Sequence, residues 1–181
     1  MRASLLLNMR VESKDGQHFF GLIKDLRIRD GVVETAVISR GSLFSKAIYF
    51  DIHHAVFEDI DSLHLDDDAV LQRVPVKTFN KRIEGTHSLY KLKVYDNDNR
   101  KIGHLADATI GKKLQVLEYE ISRSFFDDLD HGFALIPAEK LQYKAGALYY
   151  HDLFNRIPET GREGGIVKKM LGKDRHETFN E

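Results

Sequence analysis

Two aspartates, Asp25 and Asp107, are the residues of this 181-residue chain whose type and spacing most invite a chemical role. Each lies in the frame Gly-x-x-x-Asp-x-x-Ile: Gly21, Asp25 and Ile28 in one place, Gly103, Asp107 and Ile110 in the other. A carboxylate flanked by apolar residues can act as a general base or as a cation ligand. It can equally accept main-chain N–H bonds in a tight connection. An acid repeated in both copies of one frame favours the second role, so both aspartates are expected to hold the fold.

The other reactive residue types form no catalytic pattern. His53 and His54 are adjacent, so in a strand their side chains point to opposite faces and cannot share an ion. His18, His64, His87, His104, His131, His151 and His176 are scattered, without the close spacing of a metal motif. Asp127-Asp128-Leu129-Asp130-His131 is the densest ligand-capable run and reads as a solvated loop. Asp96-x-Asp98 resembles the start of a calcium loop, but Lys101 and Asp107 stand where that loop needs Gly and Glu. It reads as a hairpin turn. Gly161-Arg162-Glu163-Gly164-Gly165 lacks the preceding strand and correctly placed Lys of a phosphate loop. There is no Gly-x-Ser-x-Gly elbow and no cysteine, which removes thiolate metal sites, Cys nucleophiles and disulfides together. The expectation is a non-enzyme with neither metal nor cofactor.

Charge is balanced overall, at −1, but unevenly placed. Residues 51–71 carry Asp51, Glu58, Asp59, Asp61, Asp66, Asp67 and Asp68 with no Lys or Arg. Residues 72–93 carry Arg73, Lys77, Lys81, Arg82, Lys91 and Lys93 against Glu84 alone. A basic stretch beside an acidic one meets phosphates, a partner, or its own neighbour. With Phe79 and Tyr90 interleaved, Arg73, Lys77, Lys81 and Arg82 are the candidate contacts for a partner or for single-stranded RNA.

These residues must be positioned by strands. The Gly-x-x-x-Asp-x-x-Ile frame recurs after 82 positions, preceded each time by a Val (Val11, Val94) and a polar turn. A repeat of that length implies two copies of one module. Residues 32–38 and 114–121 carry β-branched and aromatic residues in partial alternation, with Asp30-Gly31 and Gly111-Lys112-Lys113 at the preceding turns. Further strands are predicted at 46–51, 62–65, 69–74, 132–136, 141–144 and 147–150. Gly21 and Gly103 fall inside strand-like runs, where glycine marks a bulge or a close backbone approach. No run nears the roughly 18 apolar residues needed to cross a bilayer, so a cytoplasmic chain is expected.

The frame of Val, polar turn, Gly-x-x-x-Asp-x-x-Ile, two strands and an apolar-Pro step (Leu135-Ile136-Pro137-Ala138-Glu139) resembles the PRC-barrel family. Its namesakes are the cytoplasmic domain of the photosynthetic reaction-centre H subunit and the C-terminal domain of a ribosome-maturation factor. The resemblance covers residues 5–74 and 88–151, and the first copy lacks the proline, having Phe50-Asp51-Ile52-His53-His54 there. It implies an all-β chain of two tandem small PRC-type barrels of five to six strands each. The implied division is a first barrel at 1–74, a basic linker at 75–87, a second barrel at 88–151 and a short, partly helical tail at 152–181. The tandem arrangement looks like two-barrel bacterial proteins. For function it implies a non-catalytic adaptor binding a protein partner. Phe19, Phe44, Phe125, Phe126 and Tyr150 are candidate apolar contacts. The alternatives are an RNA- or ribosome-associated factor and a cryptic metal-dependent enzyme.

Overall fold

The computed structural model describes residues 1–39, 46–57, 62–66, 70–90, 92–124 and 132–151. The chain is mostly β, as expected. Its strands are β1 (Arg10–Ser13), β2 (Phe19–Arg29), β3 (Val32–Ser39), β4 (Lys46–Asp51), β5 (Ala55–Val56), β6 (Ser62–Leu65) and β7 (Gln72–Pro75). A helix, α1 (Val76–Arg82), follows. Then come β8 (His87–Ser88), β9 (Lys93–Tyr95), β10 (Lys101–Ile110), β11 (Val116–Ser122), β12 (Ala134–Pro137), β13 (Leu141–Lys144) and β14 (Ala147–Tyr150).

The strands form two sheets. One runs β5-β6-β1-β2-β3-β4-β7, with β8 added to β2; the other runs β12-β11-β10-β9-β14-β13. Among the described residues no pairing joins β5 to β7 or β12 to β13. The chain divides into two compact units, and these interleave along the sequence. Residues Met1–Tyr90 cluster with Asp107–Leu117, while Lys91–Ala106 cluster with the residues from Glu118 onward. The end of β10, with its Asp107 and Ile110, therefore belongs to the first unit although it lies in the second sequence copy.

The hairpin chemistry is local. Asp30 (φ 49°) and Gly31 (φ 77°) both take left-handed backbone between β2 and β3, and Ala145 (φ 50°) and Gly146 (φ 83°) do so between β13 and β14. Two consecutive left-handed residues match the right-handed twist of the flanking strands. At the predicted hairpin turn after β9, the Asp96 carboxylate accepts the N–H of Asp98 and of Arg100, both at 2.9 Å, and pairs with Arg100 Nε at 2.8 Å. Burial pushes the Asp96 carboxyl up, but these donors outweigh it and hold it below the usual carboxylate range.

Phase shifts explain the repeated frame. Along β2 the buried side chains include Ile23, then Leu26 and Ile28, so the inward set changes parity. The β2–β3 register slips between Ile23 and Asp25, which places Lys24 in a bulge. Along β10 the inward set runs Leu105, Asp107, then Ala108 and Ile110, the same change of parity. Asp25 thus sits beside a slip of the ladder and Asp107 where the inward parity changes, and each motif isoleucine is returned to the core. The glycines serve a different end. A Cβ on Gly21 would lie 2.8 Å from the Ser39 carbonyl oxygen, and one on Gly103 would overlap the Ser122 carbonyl oxygen and press on Ile121. Only glycine lets these strands approach so closely.

The stretch expected as a linker at 75–87 is structured. Val76–Arg82 is helical, Phe79 is buried, and Lys81 and Arg82 lie in the last turn, where cations favour the helix dipole. Gly85 (φ 81°) and the Thr86 N–H donated to the Ile83 carbonyl at 2.9 Å close the turn that follows. The predicted tail lies outside the described residues.

Candidate functional site

Two groups of polar side chains stand out in the first unit. One is a pair of aspartate anchors. Asp107 Oδ1 accepts the Ser4 N–H at 3.0 Å and the Ala108 N–H at 2.8 Å, and its Oδ2 accepts the Ser4 hydroxyl at 2.6 Å. Arg2 Nε lies 3.1 Å from Oδ2 as an ion pair, and the carboxylate is almost wholly buried. Asp25 Oδ1 accepts the Ser88 hydroxyl at 2.6 Å, and its Oδ2 pairs with Arg27 Nε at 2.8 Å.

The two anchors are crossed. Asp25, in the first sequence copy, holds the serine that leads into the second copy. Asp107, in the second copy, holds the serine that leads into the first. The backbone repeats the exchange: Ser88 pairs with Arg27 and His87 with Ile28, while Arg2 bridges to Thr109 and the Ile110 N–H donates to the Met1 carbonyl at 2.7 Å. Tyr90 lies near both acids. Its hydroxyl is buried without a hydrogen-bond partner among the described residues. Burial first, and then the charges of Asp107 and Asp25, push its ionisation well above the ordinary range. His87 is 4% exposed, and burial, aided by the Arg27 charge, lowers its pKa to about 4. With every carboxylate oxygen of Asp25 and Asp107 engaged, the cluster is built to join segments.

The expected main-chain N–H bonds are found at Asp107, whereas Asp25 takes a hydroxyl and a guanidinium in their place. Ser4 and Ser88 were not legible in the sequence, because the partner of each lies in the opposite copy and no local pattern marks it. A serine–histidine pair was missed as well. Ser62 Oγ lies 3.0 Å from His64 Nε2, and His64 Nδ1 lies 3.3 Å from the Ser13 carbonyl oxygen. The signal was available, since residues two apart on a strand share a face. Each is only 9% exposed, so the pair is held inside the sheet. Among the described residues no group of three or more His, Asp or Glu is placed to hold a metal ion. His131 and His176 lie outside the described residues.

The second group is basic and faces outward. Arg73 stands on β7, the last strand of its sheet, and Lys77, Lys81 and Arg82 stand on α1; all four are exposed, as is Lys46 opposite Pro75. Arg82 donates to the Tyr49 hydroxyl at 3.0 Å and to Gln72 Oε1 at 2.5 Å, and Tyr49 donates to the same Gln72 oxygen at 2.7 Å. This ties α1 to β4 and β7. None of Lys46, Arg73, Lys77, Lys81 and Arg82 has an ion pair among the described residues. A surface hollow of about 320 Å3, walled by Asp51, His54, Val70 and Gln72, lies beside β7.

The aromatic residues expected to accompany these cations point elsewhere. Phe79 packs on Tyr49, ring centroids 4.9 Å apart, with the Arg27 guanidinium 5.9 Å from its centre. Tyr90 belongs to the aspartate cluster. Of the apolar contact residues, Phe19 is 40% exposed with Arg10 stacked over its ring at 4.9 Å, whereas Tyr150 is buried. Phe44, Phe125 and Phe126, with the Asp127–His131 loop, lie outside the described residues. No helix among the described residues is long and apolar enough to cross a membrane.

No protein-family model matches this sequence, and a search of curated proteins returns no match.

Proposed function

We propose that this chain is a non-catalytic binding protein built from two PRC-barrel-like copies, and that its first unit presents a basic face to an acidic protein partner. The observation that carries this reading is the group Lys46, Arg73, Lys77, Lys81 and Arg82. These five cations are exposed on β7, on the end of β4 beside it and on the adjoining helix, with no ion pair among the described residues. Exposed cations that face no internal acid keep their charge available to an external one, steering encounter as well as contact, even where, as at Arg82, neutral groups hold the guanidinium in place. The engagement of Asp25 and Asp107 in holding Ser88 and Ser4 supports a scaffold role for the repeated motif in place of a catalytic one.

RNA is the competing ligand for such a face. Sequence-tolerant RNA binding combines cations with exposed aromatic platforms. Phe79 is in the core and the Tyr90 hydroxyl is buried, which favours the protein partner. The test is affinity capture with the full chain, with and without nuclease, beside a Lys77→Glu/Lys81→Glu variant. The reading expects a protein recovered regardless of nuclease and lost with the double variant. Recovery abolished by nuclease, or unaffected by charge reversal, overturns it.

A further inference from the structure

We infer that the basic face receives its partner as an added β-strand: an extended, acidic peptide segment pairing with the outer edge of β7. This deepens the binding reading above and rests on it.

Three observations converge on β7. First, it ends its sheet, and among the described residues it pairs with β4 alone. In an antiparallel pair, main-chain groups point alternately toward and away from the neighbour, so β7 keeps donors and acceptors directed outward. Second, α1 does not cap that edge. Its contacts run across the face of the sheet: Phe79 meets Tyr49 on β4 and the guanidinium of Arg27 on β2, and Arg82 reaches Tyr49 and Gln72. Third, charge runs along the edge with a direction. The Pro75 end carries Lys46 and adjoins Lys77 on α1, the middle carries Arg73, and the Gln72 end meets Asp51 at the hollow.

The same charges select the occupant. A short edge bearing Arg and Lys and closed by Pro repels a second copy of itself, which is how exposed edges avoid self-association. An acidic strand reverses the sign of that term, so the edge rejects its twin and accepts its complement. Pro75 offers no N–H, which confines pairing to Gln72, Arg73 and Val74 and makes the engagement short. Acidic side chains of the added strand would lie toward Lys46 and Lys77, with its uncharged end toward the hollow beside Gln72.

The test uses the full chain, isotope-labelled, titrated with a short capped peptide of alternating Glu and Val. A second peptide carries the same charges but is N-methylated at every residue, which removes its main-chain donors on both edges. Hydrogen exchange and chemical shifts at Gln72, Arg73 and Val74 are the readout. The inference expects slowed exchange at those of these amides that point away from β4 with the first peptide, and affinity weakened about tenfold both by N-methylation and by Arg73→Glu. Equal binding of the two peptides, with Arg73→Glu still weakening both, overturns strand addition while leaving the basic-face reading intact. Binding indifferent to Arg73→Glu, or absent, overturns both. Oligouridylate that displaces the peptide and binds more tightly than it also overturns both.

Discussion

Asp25 and Asp107 occupy the same place in a repeated frame, yet they hold their segments unequally. Asp107 takes two N–H groups, one hydroxyl and one guanidinium, with 6% of its side chain exposed. Asp25 takes one hydroxyl and one guanidinium, with 19% exposed. The difference follows from what each must fix. Asp107 closes the short helical turn at Ala3–Leu5, whose main-chain donors need an acceptor, whereas Asp25 meets β8, whose backbone is already paired with β2. A repeated motif can therefore keep its residues while the load on them diverges.

That contrast can be broken from its strongest point downward. Gly103→Ala should have the largest effect, about 4 kcal/mol, because the new Cβ overlaps a facing carbonyl oxygen. Gly21→Ala, with its Cβ 2.8 Å from the Ser39 oxygen, should cost somewhat less; urea midpoints at constant slope measure both. Asp107→Ala should cost about 3 kcal/mol, since it strands the Ser4 and Ala108 N–H groups and the Arg2 charge, and Asp25→Ala about half of that. Equal losses would remove the distinction between the anchors.

Acid should loosen the Asp25 side. His87, next to Ser88, has a folded pKa near 4 against an ordinary 6.5, so the unfolded chain binds the proton first. Its contribution is complete above pH 6.5 and is lost as pH falls toward 4, on the order of 3 kcal/mol; a His87→Leu variant should lack that slope. The smallest effects belong to the serines. Ser4→Ala removes one hydroxyl bond, about 1 kcal/mol, and Ser88→Ala removes two, to Asp25 and from the Tyr90 N–H, so thermal unfolding should show a modest shift for each with Ser88→Ala the larger. Ser4→Ala leaves the Ser4 N–H on Asp107, so it should fall well short of Asp107→Ala.

Much of the strand layout was readable. The predicted strands at 46–51, 62–65, 141–144 and 147–150 coincide with β4, β6, β13 and β14, because alternation and turn residues are local signals. The helix α1 was hidden, since Val76–Arg82 is short and its one buried anchor, Phe79, looked like an exposed aromatic among cations. The first sheet's eight strands, against an expected five to six, arise partly from β8, whose pairing with β2 joins Ser88 to Arg27 across the chain. Such long-range pairings leave no periodic trace. The same reason hid the serines that the two aspartates hold.

The crossed anchors also set an order of events during synthesis. Ser4 and Asp107 are 103 residues apart, so the Ser4 N–H of the Ala3–Leu5 turn lacks its carboxylate acceptor until the end of β10 has been made. The first copy, although translated first, cannot be finished first. Contacts of such separation slow folding and leave early segments exposed in the interim. Two modules that could have matured one after the other have become a single obligation, discharged only when the later one arrives.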